Sequence, residues 1–377
     1  MRIPFFFVLG MATLGAQPVM AEPGTIVGDA DLRDAPGPYA AAGKLPTGTK
    51  VDVGVCFDGG TYCYVDANGV TGYVESRLIK VAAGRMDQVE QARLDRIRQQ
   101  GGLPEEAQMI AAWGDSLTAG ATLATDATYP AQAEALFGFA RDINNGGIGG
   151  QNSTAVAARM NAVPTLLSFT GDEIPAEGPA LVSKRSTTPI TNQGPHSLAG
   201  TVCGIVGMLD AQTDDGGKTY IYHFMRGRPG EAVKCPADSQ FRFAAGDLLR
   251  QRVTWIWAGT NGAAPDHTVV GDIAAMVTSL GHERYLIGAL PFSAEYSEAR
   301  IAAVKTINAA LARQYGDQFV DLAGTLAAAG DGSTGDAADI AAGITPRSLR
   351  IDAVHLNARG NAIIAKAWHD ATLKLGF

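Results

Sequence analysis

Ser116 is the residue whose type and surroundings most favour nucleophilic chemistry in this sequence. It follows the apolar run Met109–Trp113 and Gly114, and a helical pattern resumes near Tyr129 and Pro130. A serine placed where a parallel strand ends lies at the carboxyl edge of a sheet, where open α/β folds bind their ligands. A plain turn followed by a helix-capping serine is the alternative interpretation of this short stretch.

An aspartate and a histidine near the end of the chain could activate such a serine. Asp352 and His355 are three positions apart, and this step lets a carboxylate orient an imidazole that then acts as a base. The sequence has six histidines, and His355 is the one that comes with such a pattern. A solvated surface histidine is the alternative.

Two further stretches could stabilise negative charge. The glycines within 144–153 permit backbone conformations that aim amide groups at an anion. Asn261, at the end of an apolar run, could donate its side-chain amide to a developing oxyanion. A dinucleotide-binding loop or a plain turn is the alternative for the glycines, and an ordinary Asn-Gly turn is the alternative for Asn261.

Taken together, these four stretches resemble the sequence blocks of the SGNH (GDSL-type) hydrolase family. Gly114-Asp115-Ser116-Leu117 is similar to the nucleophile block, and Asn145-Gly146-Gly147-Ile148-Gly149-Gly150 is similar to the second block. Gly259-Thr260-Asn261 is similar to the third block and Asp352-Ala353-Val354-His355 to the last. All four occur in order across residues 105–377, which is more specific than any one of them.

The resemblance implies a serine carboxylic-ester hydrolase. Ser116 would be the nucleophile, His355 the base and Asp352 the residue that orients the imidazole. The backbone N–H groups of Ser116 and Gly150 and the side-chain amide of Asn261 would bind the oxyanion. The resemblance implies no metal and no organic cofactor.

The elements that must position these residues alternate between strands and helices from residue 105 onward. Strands are predicted at Gln108–Trp113, Ala140–Asn144, Val253–Ala258, Arg284–Leu290 and Gln318–Asp321, and helices at 130–137, 153–162, 268–280, 295–315 and 357–374. This alternation predicts an α/β fold in which helices cover both faces of a parallel sheet. The resemblance implies the flavodoxin-like three-layer α/β/α form of that fold for the SGNH hydrolase domain at 105–377.

The alternation fails at about 164–246, and this stretch predicts a β-rich insertion. It is rich in Pro, Gly and Thr, and it is too long for an ordinary loop. Such an insertion could shape a binding cleft, and a role in stability or assembly is the alternative. The third block also departs from the family, because Gly262 stands where an aspartate is common. A supporting hydrogen bond would then have to come from elsewhere.

The first hundred residues predict three further segments. Residues 1–21 have one early Arg, an apolar run and a small-residue cleavage site, which is typical of a secretory signal peptide. Short β-like runs at 22–82 resemble a bacterial SH3-like domain, a small all-β barrel that often attaches exported enzymes to cell-wall peptides or polysaccharide. A mere spacer is the alternative. Residues 83–104 predict a helical linker, with the helix at 83–100.

The four cysteines predict disulfides if the protein is exported. Three pairings are possible. Cys56 and Cys63 flank a hairpin-like turn and should pair with each other, which leaves Cys203 to pair with Cys235. A zinc site is disfavoured because no histidine completes a ligand cluster near either pair.

The composition restricts the partners. The net charge is −8, and an acidic protein without basic clusters is a poor candidate for nucleic acid or an anionic membrane surface. No segment after the signal peptide is apolar enough to cross a bilayer, so we expect a periplasmic or secreted protein. The predicted activity is removal of O-acetyl groups from peptidoglycan or another envelope polysaccharide. The alternatives are a lipase, lysophospholipase or thioesterase, or a cell-wall-binding protein with a vestigial hydrolase domain.

Overall fold

The computed structural model describes residues 22–33, 41, 43–57, 62–75, 78–81, 108–213, 215–262 and 268–377. The predicted signal peptide at 1–21 and the predicted helix at 83–100 lie outside these residues. Within the described ranges, no helix has the length and the hydropathy needed to span a bilayer.

The described part of residues 22–81 forms antiparallel β-structure. Its strands are β1 (Glu22–Ile26), β2 (Ala30–Leu32), β3 (Gly43–Leu45), β4 (Lys50–Phe57), β5 (Tyr62–Ala67), β6 (Val70–Glu75) and β7 (Ile79–Val81). Five of them form a sheet in the order β6-β5-β4-β1-β7, and β2 pairs with β3 as a two-stranded ribbon. Alternate residues such as Ile26, Val51 and Val65 are buried between them. The strands were expected and are present, but these described strands do not close into one barrel, so the SH3-like assignment stays a prediction.

From residue 108 onward the chain contains the remaining described elements. The strands are β8 (Ile110–Gly114), β9 (Ile143–Gly147), β10 (Thr165–Phe169), β11 (Glu173–Ile174), β12 (Pro179–Arg185), β13 (Ser197–Val202), β14 (Ile205–Gln212), β15 (Ile221–Arg226), β16 (Val233–Lys234), β17 (Ser239–Phe243), β18 (Val253–Trp257), β19 (Tyr285–Gly288) and β20 (Phe319–Val320). The α-helices are α1 (Ser116–Ala119), α2 (Tyr129–Leu136), α3 (Ser153–Arg159), α4 (Ala244–Leu248), α5 (Val269–Leu280), α6 (Glu298–Tyr315), α7 (Leu322–Ala328), α8 (Thr334–Ala341) and α9 (Ala358–Lys374).

A five-stranded parallel sheet forms the centre of this part of the protein. Its order is β20-β19-β18-β8-β9, which confirms the parallel sheet predicted from the alternation. In order of sequence this is the flavodoxin-like arrangement 2-1-3-4-5, and its topological switch point lies between β8 and β18. A ligand is therefore expected beyond the carboxyl ends of these two strands, where Ser116 and Asn261 follow.

Helices cover both faces of the sheet, because successive residues of β8 point to opposite sides. Ala111 and Trp113 belong to a core with side chains of α5 and α6. Ile110 and Ala112 belong to a second core, with α2, α7 and α9. Because both faces of β8 are buried, its sequence is one continuous apolar run and does not alternate between apolar and polar residues.

The insertion predicted at 164–246 is a closed six-stranded antiparallel barrel. Its strands follow one another around the barrel in the order β10-β12-β15-β14-β13-β17, and β17 pairs back to β10. Its core contains large aromatic and aliphatic side chains, among them Phe169, Leu209, Phe224 and Phe241. The first and last strands are direct neighbours, since Thr165 pairs with Phe241. The chain therefore enters and leaves the barrel side by side.

The barrel contains one of the two predicted disulfides. Cys203 and Cys235 are bonded, with their Cα atoms 5.6 Å apart. Cys63 is also disulfide-bonded, and it lies directly opposite Cys56 in the β4–β5 ladder. The side chain of Cys56 is outside the described residues, so Cys56–Cys63 stays a prediction that this register favours.

Candidate active site

The predicted nucleophile lies where β8 turns sharply into α1. Asp115, and not Ser116, caps the helix, because its Oδ1 accepts the N–H of Leu117 at 3.0 Å. Ser116 is the first helical residue, so its own N–H has no partner within the helix. A Cβ at Gly114 would lie 2.1 Å from the Thr118 hydroxyl. The sharp turn at this strand end therefore requires glycine at position 114.

Ser116, His355 and Asp352 form a continuous line of hydrogen bonds. His355 Nε2 lies 2.9 Å from Ser116 Oγ, and His355 Nδ1 lies 2.8 Å from Asp352 Oδ2. The other oxygen of Asp352 accepts the backbone N–H groups of Val354 and His355, at 2.7 and 2.6 Å. With Nδ1–H donated to the carboxylate, Nε2 is the acceptor for the serine proton. The three residues that the sequence predicted as a triad are thus brought together across 239 positions of chain.

The same hydrogen bonds determine the ionisation of Asp352. Partial burial alone would raise its pKa, but the two backbone N–H groups and the imidazole stabilise the carboxylate. The result is a pKa below the usual value for aspartate. Asp352 is therefore an anion throughout the neutral range, as the orientation of a histidine base requires.

An ion-pair network anchors the loop that carries Asp352 and His355. Asp339 accepts Arg347 at 2.7 Å and Arg350 at 2.9 Å. Arg350 also donates to the carbonyl oxygens of Thr345, at 2.7 Å, and of Asp352, at 3.1 Å. Hydrogen bonds from Arg347 hold the pKa of Asp339 below its usual range, against the opposing effect of burial. The loop is therefore tied to α8 by a carboxylate that stays charged.

Part of the second block lies inside a strand, and not beyond the end of the strand as predicted. We expected the strand at Ala140–Asn144, with the glycines beyond its end, but β9 is Ile143–Gly147 and contains Gly146 and Gly147. Glycine is depleted in strands, yet a Cβ at Gly147 would lie 2.1 Å from the backbone nitrogen of Ala119. The strand packs so closely against α1 that only glycine fits, which a strand-propensity argument does not capture.

Gly150 and Asn261 lie on adjacent segments beside β9. Gly150 has a positive φ of 74° in a turn closed by the Gln151 N–H, which donates to the Ile148 carbonyl at 3.4 Å. Asn261 donates its side-chain amide to the Gln151 carbonyl at 3.0 Å, and its backbone bridges to Asn152. One amide hydrogen of Asn261 is thus used to hold this turn, and the second has no acceptor among the described residues. No described contact joins Gly150 or Asn261 to Ser116, so their oxyanion role is a proposal.

The third block is supported by one residue of α6 and one residue just before it, in place of an aspartate at 262. Arg300 and the Tyr296 hydroxyl donate to the Thr260 carbonyl, at 2.7 and 3.1 Å. Gly262 has a φ of 89°, a conformation that favours glycine over aspartate. The departure from the family pattern therefore has a local reason, and the segment bearing Asn261 is held by other groups.

Arg159 is a positioning group that the sequence did not indicate. Its side chain is buried, and it donates to Gln151 Oε1 at 2.9 Å and to the Gly146 carbonyl at 2.7 Å. The guanidinium also lies over the ring of Trp113, 5.1 Å from its centre. It links β8, β9 and the turn after β9. An arginine in an alanine-rich helix has no local pattern that would mark it as buried.

Burial of the ionised Asp115 carboxylate costs the folded protein free energy. Asp115 is fully buried, and burial raises its pKa to about 6, although the Leu117 N–H opposes this effect. The hydroxyl and the backbone N–H of Thr260 also lower the pKa of Asp115, but they do not cancel the effect of burial. An ionised Asp115 therefore destabilises the folded state, although the coulombic effect of the nearby His355 lowers the pKa of Asp115 and partly offsets burial.

The variant Asp115→Asn is expected to be more stable than the wild type at high pH only. The folded pKa of Asp115, about 6, lies above its unfolded value of 3.8, so the wild type loses stability as pH rises between these values. The difference in the free energy of unfolding between the variant and the wild type reaches on the order of 3 kcal/mol above pH 7, at 1.36 kcal/mol per pKa unit. Denaturant unfolding from pH 4 to 8 measures it, with the exposed Asp126→Asn as control. Parallel stability curves for Asp115→Asn and the wild type would contradict it.

No group of three or more His, Cys, Asp or Glu side chains in the described ranges is arranged as metal ligands. The chemistry that the arrangement can perform is proton transfer from a serine hydroxyl to an imidazole oriented by a carboxylate, which is the requirement for covalent acyl transfer.

Comparison with known proteins gives distant structural matches over about 70% of the chain. No known family model and no curated protein sequence matches this chain. A member of the lipolytic protein G-D-S-L family from Veillonella parvula is 13% identical, with a TM-score of 0.39 over 70% of this chain and 97% of its own. A putative arylesterase from Agrobacterium tumefaciens is 16% identical, with a TM-score of 0.35 over 71% and 99%. Est24, a carbohydrate acetylesterase from Sinorhizobium meliloti, is 13% identical, with a TM-score of 0.35 over 71% and 99%.

Proposed function

We propose that this protein is an exported serine carboxylic-ester hydrolase of the SGNH type. The observation that carries the proposal is the hydrogen-bonded line from Ser116 through His355 to Asp352. Ser116 follows a strand at the topological switch point of an open α/β sheet, which is where such sheets bind ligands. A vestigial domain is disfavoured, because all three side chains are present and aligned for proton transfer.

In the proposed reaction, Ser116 Oγ attacks the ester carbonyl as its proton passes to His355 Nε2. The tetrahedral intermediate collapses when His355 returns that proton to the leaving alcohol, and the acyl group stays on Ser116. A water then attacks the acyl-enzyme and gives its proton to His355. The bond between the acyl carbon and Ser116 Oγ then breaks, His355 returns the proton to Oγ, and the carboxylic acid is released. Asp352 stays ionised throughout and stabilises the imidazolium.

Three donors are proposed to bind the oxyanion. The N–H of Ser116 lies at the beginning of a helix, and the N–H of Gly150 and the second amide hydrogen of Asn261 have no acceptor within the described ranges. Such a donor typically contributes about 3–4 kcal/mol, because it meets full negative charge only in the transition state.

The proposed substrate is an O-acetylated envelope polysaccharide such as peptidoglycan. Support comes from the predicted signal peptide and from the disulfide Cys203–Cys235, since disulfides are typical of proteins in oxidising compartments. These features favour a periplasmic or secreted enzyme. A lipase, lysophospholipase or thioesterase of the same type is the alternative, and it would need an apolar groove for a long acyl chain.

A panel of esters tests this proposal. The intact protein is expected to hydrolyse p-nitrophenyl acetate with a kcat/KM at least tenfold above that for p-nitrophenyl octanoate, and to release acetate from purified O-acetylated wall polymer. The reason is that additional methylenes add binding energy only where an apolar groove receives them, and an O-acetyl substrate needs no such groove. A preference for octanoate, or no acetate release from any wall polymer, would overturn the substrate assignment.

Residues 22–82 are proposed to bind the wall and so to raise the local concentration of substrate. Co-sedimentation of the whole chain with insoluble wall material measures this, with Ser116→Ala used so that the polymer is not consumed. If the protein stays in the supernatant, the targeting role is wrong, whatever the result of the ester panel.

A further inference from the structure

A loop of the barrel insertion lies directly on the turn that carries Gly150. The loop joins β12 to β13 and spans residues 186–196. The side-chain amide of Gln151 donates to the carbonyl of Pro189, and a Cβ at Gly149 would lie 2.8 Å from the carbonyl of Gln193. The barrel is therefore part of the wall of the candidate site and not a remote appendage.

Thr191 of this loop contacts the peptide group that contains the Gly150 N–H. Its hydroxyl lies 2.5 Å from the carbonyl oxygen of Gly149. Since a carbonyl oxygen can only accept, the single hydroxyl hydrogen of Thr191 is committed to it. The carbonyl of Gly149 and the N–H of Gly150 belong to one planar trans peptide group. A bond at the oxygen therefore also acts on the N–H at the other side of the same group.

This peptide group needs an external anchor. It is flanked by two glycines, so the backbone on either side has wide conformational freedom and the plane could rotate. The turn itself is closed by the N–H of Gln151 and leaves the central peptide unbonded. A hydrogen bond to the Gly149 oxygen fixes the direction of the Gly150 N–H, and it also polarises that N–H toward a second partner.

The barrel holds Thr191 from both sides. The Tyr222 hydroxyl contacts the backbone N–H and carbonyl of Ile190 at 3.3 and 3.2 Å. The Tyr220 hydroxyl accepts the N–H of Asn192 at 2.8 Å. Both tyrosines lie at the start of β15 or just before it, so the position of the loop depends on the barrel.

We infer that Thr191 is a positioning residue for the oxyanion site, supplied by the barrel: its hydroxyl holds and polarises the Gly149–Gly150 peptide so that the Gly150 N–H is directed at the oxyanion formed at Ser116. This inference rests on the proposed function. It gives the insertion a role in the chemical step itself, in addition to any contact with polymer.

The test compares Thr191→Val with Thr191→Ser. Valine has nearly the same shape but no hydroxyl, whereas serine keeps the donor. Losing an oxyanion donor lowers kcat by roughly 10²–10³, and neighbouring hydrogen bonds strengthen one another by about 10–30%. We therefore expect Thr191→Val to lower kcat for p-nitrophenyl acetate about two- to eightfold with little change in KM, and Thr191→Ser to retain it. Inhibition by phenylboronic acid, which forms a tetrahedral anion on a serine, should weaken by a similar factor.

Thr187→Val is the matched control, because Thr187 lies in the same loop but bonds the hydroxyl of Thr165 inside the barrel, at 2.6 Å. It should lower the melting temperature without changing kcat. If Thr187→Val lowers kcat as much as Thr191→Val, or if serine fails to retain activity, the positioning role is wrong. Wild-type kcat in Thr191→Val with an inactive Ser116→Ala would overturn this inference alone. An active Ser116→Ala would instead overturn the proposed function.

Discussion

Replacing Ser116 with alanine is expected to lower kcat for p-nitrophenyl acetate by about 10⁶-fold, as deletion of a serine nucleophile does elsewhere. The Ser116 hydroxyl, 2.9 Å from His355 Nε2, is the atom that would form the acyl-enzyme, and alanine has no substitute for it. The fold should survive, because Asp115 and not Ser116 caps α1. Initial rates and denaturant unfolding of the same preparation measure both quantities.

Ser279→Ala is the control for this substitution. Ser279 also lies on a helix, and its hydroxyl donates to the carbonyl of Met276 at 2.7 Å, within α5. Its loss should leave kcat unchanged. A folded Ser116→Ala protein that keeps more than a few per cent of wild-type activity would exclude Ser116 as the nucleophile, and the hydrogen-bonded line would then need another explanation.

The second large effect is expected for Asp352→Asn, at about 10⁴-fold in kcat near neutral pH. The asparagine Oδ1 can still accept the N–H groups of Val354 and His355, so the loop should keep its conformation. The other position would hold an amide N–H, which cannot accept Nδ1–H. The imidazole would then favour the tautomer protonated at Nε2, which cannot take the proton of Ser116.

Asp370→Asn provides a control within the same chain. Asp370 Oδ1 lies 3.0 Å from Nδ1 of His369, so this exposed pair has the same local chemistry as Asp352 and His355. It belongs to α9, and its loss should not change kcat. If Asp352→Asn stays within tenfold of the wild type, or if both variants lose activity equally, Asp352 does not orient the catalytic histidine.

Sequence order and spacing were sufficient to predict those parts of the site that depend on contacts between residues close together in the chain. Ser116 was placed at a strand end by the apolar run before it, and β8 does end at Gly114. The three-residue step from Asp352 to His355 allows one side chain to reach the other, and the two do meet. The helix predicted at 295–315 is present as α6, with Val304, Ile307 and Leu311 buried.

Sequence order and spacing could not predict the contacts between segments that are distant in the chain. Gly147 lies inside β9 because of the backbone of Ala119, a tertiary contact that overrides strand propensity. The link from Thr191 to Gly149 joins residues 42 positions apart, and it depends on how a barrel closes. The anchoring of the Asp352 loop by Asp339 likewise needs α8 to be in place. Propensity and spacing describe one segment at a time, whereas each of these contacts depends on how two segments are placed relative to each other.

The adjacent ends of the barrel make it a segment that the topology allows to be separated from the sheet. Because Thr165 pairs with Phe241, the polypeptide departs from the α/β domain and rejoins it about one strand spacing apart. A segment with neighbouring ends can be acquired, exchanged or lost by recombination without rethreading the elements on either side. Thr191 belongs to this segment, whereas Ser116, Asp352 and His355 belong to the part of the chain outside it. The topology would thus allow the barrel to be exchanged without any change in the three reacting groups.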